Sequence, residues 1–118
     1  MYSSKTSAEM VSPQPPPQTG RGDAWLDAIA YAKSFEFIPS LVVEDMVARR
    51  AFGVAKYATP LQLDNGRDNG IDAYQEDLDK FVYFTCCVQD PRYTDEQRQL
   101  FRMLRNNCLV ELSLLRLL

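Results

Sequence analysis

The sequence predicts an all-α protein, a bundle of about four helices, on three observations. Apolar residues recur at helical spacing in each long segment. Cap and breaker residues stand where those segments should start and stop. The two Asn-Gly turns near the middle are not flanked by the alternating apolar residues that a hairpin needs.

Each element is argued from its residues. Residues 1–22 carry four of the seven prolines and many Ser and Thr. Such a segment buries too little to offset its ordering entropy, so it reads as a leader without fixed structure, with the helical domain over 23–118. The Arg21-Gly22-Asp23 tripeptide within this stretch reads as a chance match where a helix begins. A first helix should run from Ala24 to about Phe37, with Trp25, Ile29 and Ala32 on one face and Asp23 as N-cap. Pro39-Ser40 punctuates the chain, and a second helix over about 41–57 places Leu41, Val42, Met46, Ala51, Phe52 and Ala55 on a broad apolar side. On its polar side Asp45, Arg49 and Lys56 fall within about 40° of one another.

The segment 58–70 holds Pro60 and both Asn-Gly pairs and reads as a loop, with Asp68 or Asn69 capping the third helix. That helix, over about 70–88, stops before Asp90-Pro91, because proline disfavours a helical residue ahead of it. Its Asp72, Glu76, Asp79 and Tyr83 share an arc of roughly 60° beside the apolar edge. Thr94 to Gln97 matches a capping box and opens the last helix. That helix has more leucine than one small core needs, which points to an oligomer.

Composition limits the chemistry. The net charge of −3 and the lack of a basic recognition helix argue against a DNA- or RNA-coating protein. No apolar run is long enough to cross a bilayer and no secretory signal is evident, so a cytoplasmic protein without membrane association is expected. There is no histidine, and the three cysteines, Cys86, Cys87 and Cys108, lack metal-ligand spacing. Catalysis, if any, would rest on oxygen ligands and a hard cation. The carboxylates at 72, 76 and 79 are either a solvated face or half of such a site. Like charges at these spacings cost only about 0.2–0.5 kcal/mol per pair, so the penalty does not decide between them. The stripe on the preceding helix and the Asn/Arg/Asp loop add weight to the second reading, if the two helices pack antiparallel and face each other across a cleft.

The pieces "DM", "KYATPLQ", "NGRD" and "DAYQEDLD" within residues 44–83 resemble the small phage-type dATP/dGTP diphosphohydrolases. These are MazG-like members of the all-α nucleoside triphosphate pyrophosphohydrolases. The resemblance implies Mg²⁺- or Mn²⁺-dependent hydrolysis of a (deoxy)nucleoside triphosphate, dGTP or dATP, to the monophosphate and pyrophosphate. It implies metal ligation by Glu76 and Asp79, matching an ExxD motif, with Asp72 in support and Glu44 or Asp45 as a further ligand. Glu76, Asp79 and Asp45 would be the catalytic acids. Arg49, Lys56, Tyr57, Gln62, Asn65, Arg67 and Tyr83 would meet the substrate, and the protein would be a homodimer or homotetramer. The chain departs from the family in two places. The ExxE pair on the earlier helix is incomplete, since Val47 follows Glu44 and Ala48 follows Asp45 at that spacing. Ala58 stands where the family has Gly. The incomplete pair keeps a rival open, a non-catalytic helical interaction module built on the same bundle.

Overall fold

The computed structural model describes residues 5–118. It is all-α, with helices α1 (Ser7–Val11), α2 (Ala24–Lys33), α3 (Ser40–Tyr57), α4 (Asn69–Gln89) and α5 (Asp95–Leu115). Among the described residues there is no strand, only an isolated antiparallel bridge between Arg21 and Leu63. No described helix is long and apolar enough to cross a membrane.

The helix ends obey the local chemistry. Asp23 accepts from the Leu26 N–H at the start of α2, and Asp68 from the Ile71 N–H at the start of α4. Thr94 and Gln97 form the expected reciprocal box on α5. Helix α2 ends at Lys33, four residues before the expected Phe37, because Ser34 turns its hydroxyl back onto the Tyr31 carbonyl.

The sequence predicts a boundary after residue 22; the contacts divide the chain at two other places. One compact unit comprises Met1–Pro15 with Asp68–Leu118, the other Pro16–Arg67. In the first, α4 and α5 form an antiparallel hairpin, and α1 lies on α4. Its core holds Met10, Ile71, Cys108 and Leu112, with Phe101 between Phe84 and Tyr93. In the second, α2 packs on α3, and Ile29 is its buried apolar side chain.

Residues 5–22 differ from the unstructured leader that their composition predicts; residues 1–4 lie outside the described part. Thr6 and Glu9 close a capping box on α1, and Met10 is fully buried. Gln14 donates to the Asp68 carbonyl and accepts from the Asp68 N–H, while Gln75 donates to the Met10 and Ser12 carbonyls. Two glutamine side chains and one methionine thus supply what the proline-rich composition hides.

Candidate functional site

The Pro16–Arg67 unit builds a cavity from α3 upward. Arg49, Gly53 and Lys56 recur at helical spacing along α3, so they share a side. The helix is closed by Ala58, whose φ of 66° lies in the left-handed region and whose N–H reaches the Val54 carbonyl. That turn sends the chain into the loop Thr59–Arg67, which is fastened to an extended segment ahead of α2. The Gln18 N–H bonds to the Asn65 carbonyl at 2.6 Å, Arg21 and Leu63 exchange backbone bonds at 2.9 and 2.8 Å, and the Gly20 N–H reaches Gln62 Oε1. Gly20 is needed here, since a Cβ would collide with the Leu63 carbonyl oxygen. Arg21 also pairs with Asp64.

The loop, the extended segment and α3 enclose a cavity of about 780 Å³, within the range of small-molecule sites. Arg49, Arg50, Lys56 and Arg67 line it, together with the aromatic rings of Trp25, Phe52 and Tyr57 and the amides of Gln18, Gln62 and Asn65. No carboxylate is among the described lining residues, in a chain whose net charge is −3. The cavity is therefore a local concentration of positive charge.

Its cations differ in availability. The Arg50 guanidinium donates twice to Asp23 Oδ2, at 2.9 and 2.7 Å, and this bond holds the Asp23 carboxyl below its usual range. Arg49 lies over the Phe52 ring at 5.1 Å and Lys56 over the Tyr57 ring at 5.2 Å, and neither forms an ion pair with a described residue. Asp45 and Arg49, neighbours on the polar side of α3, form no ion pair with each other. Asn65 is 1% exposed; its Oδ1 accepts from the Arg67 N–H, and its Nδ2 has no hydrogen-bond partner among the described residues. A buried donor left unpaired costs about 1–3 kcal/mol, so an acceptor on a ligand would be a favourable complement.

Six of the seven residues expected to meet substrate, Arg49, Lys56, Tyr57, Gln62, Asn65 and Arg67, line this cavity. The seventh, Tyr83, is exposed on α4 in the other unit. Sequence reasoning misses Trp25 and Arg50. Trp25 reads only as part of an apolar face, and Arg50 carries no signal beyond its adjacency to Arg49.

The expected metal ligands are divided between the units. Asp72, Glu76 and Asp79 share one side of α4, as their spacing requires. Asp72 is half-buried and accepts from Gln14 Nε2 at 2.8 Å. Glu76 and Asp79 are exposed, with no ion pair to a described residue. On α3, Asp45 is exposed, and Glu44 lines a second cavity of about 630 Å³ with Phe35, Glu36 and Val47.

The group that does draw three ligand-bearing side chains within 4.8 Å is a different one, Asp77, Cys108 and Glu111 between α4 and α5. Its cation is already present in the chain. Lys80 Nζ sits 3.0 Å from Asp77 and 3.1 Å from Glu111, and these partners, Asp77 foremost, raise its pKa. Burial pushes the Cys108 thiol up, and its Sγ donates to the Asp77 carbonyl. A protonated, hydrogen-bonded thiol is a poor metal ligand, so this cluster is an ion-pair joint between two helices.

No protein-family model, curated protein or solved structure matches the chain.

Proposed function

We propose that the chain is a metal-dependent nucleoside triphosphate pyrophosphohydrolase acting on dGTP or dATP. The observation that carries this reading is the cavity of the Pro16–Arg67 unit, which combines four basic side chains, three aromatic rings and no described carboxylate. A nucleotide asks for that combination: cations for the phosphates, a flat apolar surface for the base and amides for its polar edge. Arg49 and Lys56 bind the phosphates and stabilise the charge that develops on the leaving pyrophosphate. Trp25 and Tyr57 offer stacking surfaces, and Gln62 and Asn65 offer hydrogen bonds to the base.

Glu76 and Asp79, exposed and uncommitted one turn apart, are the proposed ligands of Mg²⁺ or Mn²⁺, with Asp72 in support. Two carboxylates with remaining water ligands suit Mg²⁺, which dehydrates reluctantly. A cation held there would supply an activated water.

A second reading has its own support. The three acids of α4 do not converge as a group, whereas Asp77, Cys108 and Glu111 do. A helical module that binds a nucleotide without turning it over fits that fact. Purified protein incubated with each of the eight common NTPs and dNTPs plus Mg²⁺ or Mn²⁺ separates the two. The enzyme reading expects pyrophosphate release that Glu76→Gln abolishes while nucleotide binding persists. Binding without release from any nucleotide establishes the second reading instead.

A further inference from the structure

Helix α5 has two apolar faces. The inner one, Leu104, Cys108 and Leu112, packs toward α4. The outer one is Leu100, Met103, Val110 and Leu114, which are 52, 58, 60 and 63% exposed, with Asn107 in their midst. Leu117, 44% exposed, continues the row just past the helix end. The outer row lies about 130° around the helix from the inner one, so α4 does not cover it.

The outer spacing is 100, 103, 107, 110, 114, 117, alternating steps of three and four. This is the a/d repeat of a two-helix seam, with Leu100, Asn107 and Leu114 at a and Met103, Val110 and Leu117 at d. We propose that this seam is an interface with a second copy of the chain, the two α5 helices lying parallel and in register. The proposal does not depend on the chain being an enzyme.

Two arguments select this occupant and this orientation. The first is area. The five apolar residues of the row leave about 500 Å² exposed on each copy, so a symmetric pair buries about 1,000 Å², the lower bound of a specific interface. That predicts a measurable, concentration-dependent dimer. The second is Asn107. An asparagine buried in an apolar seam is costly unless it is hydrogen-bonded. In an in-register parallel pair each Asn107 meets the other, and the two amides satisfy one another. In the antiparallel pair centred on the same seam, Asn107 faces Val110 of the other copy and loses its partner. The flanking positions oppose no like charges in the parallel pair, where Asn106 lies across from Glu111.

Sedimentation equilibrium of the full chain over a wide concentration range tests the pairing. The mass should rise from 13.5 kDa toward twice that value. Met103→Lys and Leu114→Lys should each hold it at the monomer with the helical circular dichroism unchanged, since both residues are exposed in the single copy. Asn107→Cys, oxidised and mapped by mass spectrometry, tests orientation without adding charge, and a 107–107 disulfide is expected. A wild type that is monomeric throughout overturns the proposal, as does a dimer that survives both lysine variants. A dimeric Asn107→Cys protein that forms no 107–107 bond overturns the parallel register.

Discussion

Ala58 holds a left-handed φ of 66° at the end of α3, a conformation that glycine adopts freely and alanine resists. Ala58→Gly should therefore stabilise the protein by about 1 kcal/mol, part of the left-handed cost being offset by the greater freedom of glycine when unfolded. A thermal melt would register this as a midpoint roughly 3–6 °C higher, and an unchanged or lower midpoint would contradict it. Arg49 and Lys56 are cavity cations that form no ion pair with a described carboxylate. Replacing either by Ala should weaken nucleotide binding by roughly 10- to 100-fold, the worth of one charge-assisted hydrogen bond, as read by calorimetric titration.

At the scale of elements, the leader segment and the α4–α5 turn carry the predictions. Gln14 satisfies both backbone groups of Asp68 and touches Asp72, so Gln14→Ala should cost about 1–2 kcal/mol in a denaturant titration. It should also speed amide exchange in α1, which lies on α4. Between α4 and α5, Asp90 accepts from the Arg92 side chain and backbone N–H, which holds its carboxyl at about 2 against an ordinary 3.8. A depressed carboxyl contributes stability that is present above the ordinary value and lost as pH falls through the lowered one. Asp90→Asn should thus be less stable than wild type at neutral pH. Denaturant titrations should find that difference shrinking between about pH 4 and pH 2. The sequence made α2, α4 and α5 legible because a capping side chain and the apolar period agree in each, and α3 because Pro39 and Pro60 bracket its apolar period. It did not reveal α1, which depends on the burial of Met10 and on Gln14 and Gln75 bonds to residues more than fifty positions away.

At the scale of the whole molecule, the readable part of the site is the one that is local in sequence. Lys56 to Arg67 are close along the chain, so a loop motif could group them, and the cavity gathers six of the seven expected residues. Gln18 joins it through the pairing of residues 18–21 with 62–65, and Trp25 through the packing of α2 on α3, non-local events with no spacing signature. The acids could be ordered on a helix wheel, yet the wheel did not separate Asp77, half a turn away and committed to Lys80, as the residue with a fixed cation. The proposed activity stands or falls on cleavage between the α- and β-phosphates. Phosphorus NMR of dGTP and dATP with the protein and Mg²⁺ measures that directly, with Glu76→Gln as control. Wild type should give dNMP and pyrophosphate as the only products, and the variant none; dNDP with inorganic phosphate, or no product from either nucleotide, would overturn the proposed reaction.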